Sequence, residues 1–196
     1  MDLNLQNRIA IVTGASKGIG RAIALALAKE DMRLVLAARS AELLEQVARV
    51  CDVECLIQPL DLREPDAPRT LIDGAIARFG AIDVLVNNAG ATKRGDFLKL
   101  TDDDWADGYA LKFFGAMRCC RAAWPHLKVS RGSVVFIAGA GGRTPGAHFT
   151  IGGPVNAALL SLTKALADQG VKDGIQVNAI NPGPVRTARL EKRLAS

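Results

Sequence analysis

Tyrosine occurs once in this chain of 196 residues, histidine and tryptophan twice each, and aromatic side chains fill only 5% of positions. Single-stranded nucleic acid is held on aromatic rings interleaved with arginine. Here 25 basic residues against 20 acidic ones give a net charge of +5, but they are spread along the chain without such rings. Nucleic acid is therefore not an expected partner, although the charge suits a phosphorylated ligand. The four cysteines, Cys51, Cys55, Cys119 and Cys120, form no metal-ligand spacing, and His126 and His148 lie far from them in sequence. No metal is expected, and the thiols read as reduced and structural. No apolar run approaches the roughly 18 residues of a membrane span, and no basic leader precedes the first apolar segment. A soluble cytoplasmic protein with no membrane partner is the expectation.

What is present is generous apolar content, 49%, with an ordinary charged fraction of 23%. Short β-branched runs alternate with longer stretches of helical spacing. Strands are expected at 8–13, 34–38, 53–59, 82–86, 133–138 and 175–180. Helices are expected at 18–29, 41–50, 65–79, 101–126 and 156–169. Pro65 would start the third of these, and the Thr-Asp-Asp-Asp opening at Thr101 would cap the fourth. Strand and helix in alternation imply right-handed crossovers and a parallel sheet covered on both faces. The expected fold class is therefore a single doubly wound α/β domain over residues 1–196, without repeats or linkers. A local basic cluster, Arg186, Arg189, Lys192 and Arg193, reads equally as a solvated helical face.

Such sheets bind ligands beyond the carboxyl ends of their strands. After the first strand comes Thr13-Gly14-Ala15-Ser16-Lys17-Gly18-Ile19-Gly20. Its glycines permit a tight turn, close backbone approach to a pyrophosphate and close helix packing, and the helix that follows aims its N–H groups at the anion. After the second strand, where an acid would grip a ribose hydroxyl, the chain has Ala37, Ala38 and Arg39. A guanidinium there can clamp a 2′-phosphate, and Lys17 adds charge on the same side. NADP(H) is thus the expected cofactor ahead of NAD(H), the competing reading being two solvated surface cations.

Thr-Gly-x-x-x-Gly-Ile-Gly at 13–20, Asn87-Asn88-Ala89-Gly90 after the fourth strand, and Asn181-Pro182-Gly183-Pro184-Val185 with Thr187 after the sixth resemble a short-chain dehydrogenase/reductase. The resemblance spans essentially the whole chain and implies a Rossmann-like fold and a nicotinamide cofactor. It implies that Asp61 and Leu62 meet the adenine, and that Asn88, Ala89 and Gly90 line the ribose floor. By the same likeness Pro182, Gly183, Val185 and Thr187 hold the nicotinamide.

The resemblance also implies hydride transfer on a carbonyl/alcohol pair, with a tyrosine, a lysine one helical turn later, a serine and an asparagine moving the proton. Every one of these positions is substituted. Anchored on the surrounding motifs, the lysine position holds Asn156, the tyrosine position Gly152, the serine position Gly139 and the asparagine position Lys112. The lone tyrosine, Tyr109, lies on another helix and no register shift repairs the loss. Asn156 retains the ability to bond ribose hydroxyls. Lys112 and His148 are the candidate proton donors, each with a bland counterpart as surface cation or loop residue. Tyr109, expected to share the helix face of Lys112, is a further candidate or a core contact. The leading expectation is an NADP(H)-dependent oxidoreductase with an atypical proton donor, acting on a small carbonyl or alcohol. The alternative is a non-catalytic dinucleotide-binding sensor or scaffold.

Relatives continue past Thr187 into a substrate-covering loop, a helix and a closing strand. That helix and strand are expected to be absent here, leaving an exposed sheet edge. The resemblance implies a homodimer or homotetramer through the helices at 101–126 and 156–169, with Phe113, Phe114, Met117 and Cys120 as interface candidates or core residues.

Overall fold

β-branched runs do pair as one sheet. The structure, a computed structural model, describes residues 3–194. In chain order the elements are β1 (Ile9–Thr13), α1 (Gly18–Ala28), β2 (Arg33–Ala38), α2 (Ala41–Cys51), β3 (Cys55–Pro59), α3 (Ala67–Phe79), β4 (Val84–Asn87), α4 (Asp102–Tyr109), α5 (Ala116–Ser130), β5 (Ser133–Ile137), α6 (Gly152–Asp173), β6 (Gln176–Ile180) and α7 (Ala188–Leu194). The six strands are parallel in the order β3-β2-β1-β4-β5-β6, so the winding direction reverses between β1 and β4. That reversal opens the crevice in which doubly wound sheets bind ligands.

The period-2 alternation of each strand divides the core between the sheet's two faces. Ile11, Val35, Leu85 and Phe136 pack with Leu71 of α3, Leu127 of α5 and Leu159 of α6. Ala10, Val12, Leu34 and Leu36 pack on the other side with Ala24 of α1 and Leu44 and Val47 of α2. Each fully buried large aliphatic chain contributes about 1.5–3 kcal/mol. β6 ends the sheet, with Gln176, Asn178 and Ile180 exposed along it. Among the described residues no helix is long and apolar enough to cross a membrane.

Several boundaries move from their expected places. β3 starts at Cys55 rather than residue 53, and α3 starts at Ala67, with Pro68 rather than Pro65 in its first turn. The helix expected over 101–126 is divided: α4 is followed by a π-helical turn, Ala110–Gly115, and α5 then runs on to Ser130. Thr101 does form the capping box, exchanging bonds with Asp104. The helix expected from Asn156 begins four residues earlier, because Gly153 and Val155 N–H already bond to the carbonyls of Phe149 and Ile151. Cys120 is 2% exposed and belongs to the core, which removes it from the interface candidates. Of the basic cluster, Arg186 is exposed near Glu191, and the side chains of Arg189, Lys192 and Arg193 lie outside the described residues.

No disulfide forms among the described cysteines. Burial pushes the Cys119 and Cys120 thiols up to about 12, and Cys55, beside Cys51, rises equally. Thiols held so far from ionisation are inert, as a structural role requires. Among the described residues no group of three His, Cys, Asp or Glu side chains is placed to hold a metal.

The two helices behind β5 and β6 are joined at one carboxylate. Asp173 accepts bonds from Trp124 Nε1 at 2.8 Å, Lys128 Nζ at 2.6 Å and Gln169 Nε2 at 3.0 Å. The lysine, indole and amide donors hold its carboxyl well below the usual range. A depressed folded-state pKa stabilises the protein above the unfolded value and loses that contribution as pH falls. Asp173→Asn is therefore expected to lower the thermal midpoint at pH 7, and its deficit to shrink progressively below about pH 4, as followed by circular dichroism.

Candidate functional site

The crevice between β1 and β4 is closed at its base by two side chains. Thr13, 1% exposed, donates its hydroxyl to Val86 O at 3.2 Å and accepts from Asn88 N at 2.9 Å and Ala89 N at 3.0 Å. Asn88 returns the link, donating Nδ2 to Thr13 O at 2.9 Å and Gly14 O at 3.2 Å. The first and fourth strand-end motifs are thus one hydrogen-bonded unit. Gly14 turns the chain with φ +65°, and a Cβ on Gly20 would overlap the Gly14 carbonyl and the Asn88 amide. Only glycine lets α1 start this close to the strand ends.

The other expected nucleotide contacts surround this unit. Ala15 N bonds to Ala37 O at 3.2 Å, which fastens the glycine turn to the end of β2, where Arg39 follows. Ser16 is half-buried; Lys17 and Arg39 are exposed, so both cations reach solvent on this side. Ile19 packs into the core. Asp61 accepts from Arg63 N and Nη1, and Arg63 in turn reaches Asp107 at 2.6 Å. The Leu62 side chain is buried in the core. Thr187 comes back over the turn, with its methyl 3.6 Å from where a Cβ on Gly18 would lie. Pro182 O accepts from Ala140 N at 3.0 Å, and Asn181 Oδ1 from Gly139 N at 3.2 Å, which ties the last motif to the end of β5. Gly183 borders open space and Val185 is exposed.

Beyond β4 and β5 the substituted positions come together. The Lys112 stem lies against Gly90, and its Nζ donates to Ala138 O at 2.6 Å. A Cβ on Gly139 would sit 2.9 Å from Asn156 Nδ2. Asn156 is 2% exposed, yet its Oδ1 has no partner within the protein. Both side-chain atoms of Asn87 and the Thr150 hydroxyl are likewise buried without partners. Leaving such a group unmatched costs about 1–3 kcal/mol, and here all lie toward one end of the sheet. This concentration marks the place where a polar ligand or water completes the protein. His148 is on the exposed loop before α6, and its carbonyl accepts from Gly95 N at 3.3 Å. Tyr109 is turned edge-on to Phe113, with ring centroids 6.2 Å apart.

The short chain dehydrogenase family model matches residues 8–195. The chain belongs to that family. It is 31% identical over 185 residues to the 3-oxoacyl-[acyl-carrier-protein] reductase FabG of Staphylococcus epidermidis, covering 90% of this chain and 75% of that protein. It is 34% identical over 193 residues to the oxidoreductase UcpA of Escherichia coli, covering 95% of this chain and 73% of the other. The structure of L-sorbose reductase from Gluconobacter frateurii, complexed with NADPH and L-sorbose, superposes with a TM-score of 0.93 at 32% identity, over 96% of this chain and 74% of that one. Short chain dehydrogenases bind nicotinamide dinucleotides, and the residues present here fit such a group. The glycine turn leaves a cradle that a Cβ would fill, and the Asn87 amide at the end of β4 and the Asn156 Oδ1 are buried without a partner.

One feature of this short chain dehydrogenase is invisible in its motifs. The ring of Phe149 occupies the space above Gly152, so that a Cβ there would overlap it, and the same ring packs at 2.7 Å on the Cβ position of Gly141. Arg94 lies over its face, with Cζ 3.9 Å from the ring centroid. The position where the family resemblance implies a tyrosine is therefore filled by a neighbouring aromatic side chain. The apolar Phe149 within a loop rich in glycine is the one signal that could have drawn notice.

Gly20→Ala is expected to destabilise the protein by about 1–3 kcal/mol, the cost of overpacking a tight contact, and to remove dinucleotide binding. Urea unfolding checks the first. Calorimetric titration checks the second, with Lys17→Ala as a variant whose stability should stay unchanged.

Proposed function

We propose that this protein is an NADP(H)-dependent oxidoreductase that interconverts a small carbonyl compound and its alcohol, with Lys112 as the proton donor. The single observation that carries the reading is the placing of Lys112 Nζ, 2.6 Å from Ala138 O at the end of β5, next to Gly139, whose Cβ position lies against the buried Asn156 side chain. Retention of the dinucleotide motifs and membership of a family of oxidoreductases support it. So does the NADPH complex of the sorbose reductase relative.

Arg39 and Lys17 face solvent beside the end of β2 with no acid at 37–39. Their charge attracts the 2′-phosphate that distinguishes NADP(H). Asn88, Ala89 and Gly90 line the ribose side, Asn156 bonds ribose hydroxyls, and the segment from Pro182 to Thr187 covers the nicotinamide. The bound nicotinamide supplies the hydride that adds to the carbonyl carbon. Lys112, held on Ala138 O, hydrogen-bonds the carbonyl oxygen, stabilises the negative charge that grows there and gives it a proton. His148, on the exposed loop, returns a proton from solvent.

Titration with NADPH and NADH separately, read by quenching of Trp105 and Trp124, is expected to show clear preference for NADPH. Arg39→Ala should weaken NADPH at least about tenfold, as loss of a charge-assisted contact does, and leave NADH little changed. Lys112→Met should abolish carbonyl-dependent NADPH oxidation without a matching loss of NADPH affinity. Equal affinity for both dinucleotides, or full turnover by the Lys112 variant, would refute the respective part.

We also propose self-association through the segment 101–126, which includes the π turn and much of α5, and through α6. Phe114, 40% exposed, and the half-buried Met117 are its contacts, whereas Phe113 packs largely inward. A solution mass of two or four chains by light scattering is expected; a monomer at micromolar concentration would remove this element.

A further inference from the structure

The segment between β3 and α3 lies against the two helices that flank Lys112, and it touches them on both sides of the π turn. Before the turn, Arg63 Nε donates to Asp107 Oδ1, in the last turn of α4, at 2.6 Å. Within the turn, a Cβ on Gly115 would lie 2.9 Å from the Leu62 carbonyl oxygen, so the segment packs directly on its backbone. After the turn, Arg118 Nη1, in the first turn of α5, donates to the Arg63 carbonyl at 3.5 Å. Arg63 is also held from its own side. Its N–H and Nη1 donate to the Asp61 carboxylate at 3.1 and 3.0 Å. Burial works against the guanidinium charge, and the Asp107 and Asp61 carboxylates more than offset that cost.

A π turn bonds each N–H to a carbonyl five residues back and takes up one residue more than an α turn. The extra residue rotates the helix before it by about 100° relative to the helix after it. Such a turn is rare, and tertiary contacts must fix both of its ends. An uninterrupted α-helix through the same residues would carry Asp107 away from Arg63 if Arg118 kept its place, or Arg118 away if Asp107 kept its own. We infer that Arg63 is the positioning residue for Lys112: by fastening α4 and α5 on either side of the π turn, it fixes the turn and the reach of Lys112 to the end of β5. Lys112 extends from within that turn, its Nζ 2.6 Å from Ala138 O. Arg63 itself acts at a distance, through Asp107 and the backbone of the turn. The inference rests on the oxidoreductase reading for the task of Lys112, but the placement of Lys112 can be measured without turnover.

Competitive acetylation followed by peptide mass spectrometry reads each lysine without a substrate, with the exposed Lys29 and Lys172 as references. An amine held on a carbonyl labels slowly. Arg63→Met and Asp107→Asn are each expected to raise Lys112 labelling at least about fivefold against the references, the release that follows loss of one net hydrogen bond. Both should lower kcat for carbonyl-dependent NADPH oxidation by a similar factor. Asp107 is half exposed, so its substitution leaves the fold intact, and the Arg63–Asp61 pair stays in place. NADPH affinity of Asp107→Asn, measured by calorimetry, should therefore be unchanged. Arg63→Lys, which cannot span both carboxylates, should restore part of the protection. Adding Asp107→Asn to Arg63→Met should change nothing further, since both break the same bond. Arg63-dependent protection of Lys112 in a protein that oxidises no NADPH would keep the inference and remove the proton-donor reading. Turnover lost in Lys112→Met but intact in Arg63→Met and Asp107→Asn would keep that reading and overturn the inference. A lowered thermal midpoint with Lys112 labelling unchanged, the mark of a merely structural bond, would overturn it too, as would wild-type Lys112 that labels as freely as Lys29.

Discussion

Everything at the ligand end of this molecule hangs on the join between β1 and β4. In a doubly wound sheet these strands are neighbours in space but belong to opposite halves of the winding, and the helices that follow them leave on opposite faces. The Thr13 hydroxyl and the Asn88 amide bridge that division with five hydrogen bonds of 2.9–3.2 Å. The glycine turn, the start of α1 and the Asn88-Ala89-Gly90 segment are consequently one rigid cradle, and an ion or phosphate placed there meets groups that need no further ordering.

The opposite side of the crevice obeys another constraint, the need to fill volume. Glycine at 152 and at 139 leaves room that a well-packed protein does not keep empty. Phe149 takes the first space from the loop side, and Asn156 takes the second from within α6. The change is thus a repacking of the pocket wall. It leaves Lys112, which enters from the turn between α4 and α5, bonded to Ala138 O at the end of β5, and it gives Arg94 a ring to lie on. The wide π turn lies at the point where Lys112 must reach Ala138 across the end of the sheet, a placement common to π turns at working sites.

Strand and helix order was readable because period-2 and period-3.6 patterns are properties of local sequence. β1, with Ile9 and Ile11 facing one core and Ala10 and Val12 the other, reports a strand buried on both sides. The nucleotide motif was readable for the same reason, since a strand, a glycine turn and a helix are contiguous. The π turn was not, because the spacing of Gly108, Gly115, Cys119 and Ala123 runs through it as it would through an ordinary helix. Nor was the start of α6 at Gly152, since two glycines and Pro154 look like a loop until the Phe149 and Ile151 carbonyls supply acceptors. Cys120 had equal standing as core or interface in the sequence, and only the packing of α5 against α3 and β4 put it inside.

The sequence by itself determined the class of fold, the family and the glycine turn between β1 and α1, because each is encoded in residues close together along the chain. It also put glycine, at 152 and 139, at the positions where the resemblance implies tyrosine and serine. The tertiary structure decided what stands in their place. Phe149 on Gly152, Arg94 on Phe149 and Lys112 on Ala138 are contacts between residues of different segments, and no local pattern encodes them. Their physical origin is close packing, which lets a side chain from one loop occupy volume that another residue has given up.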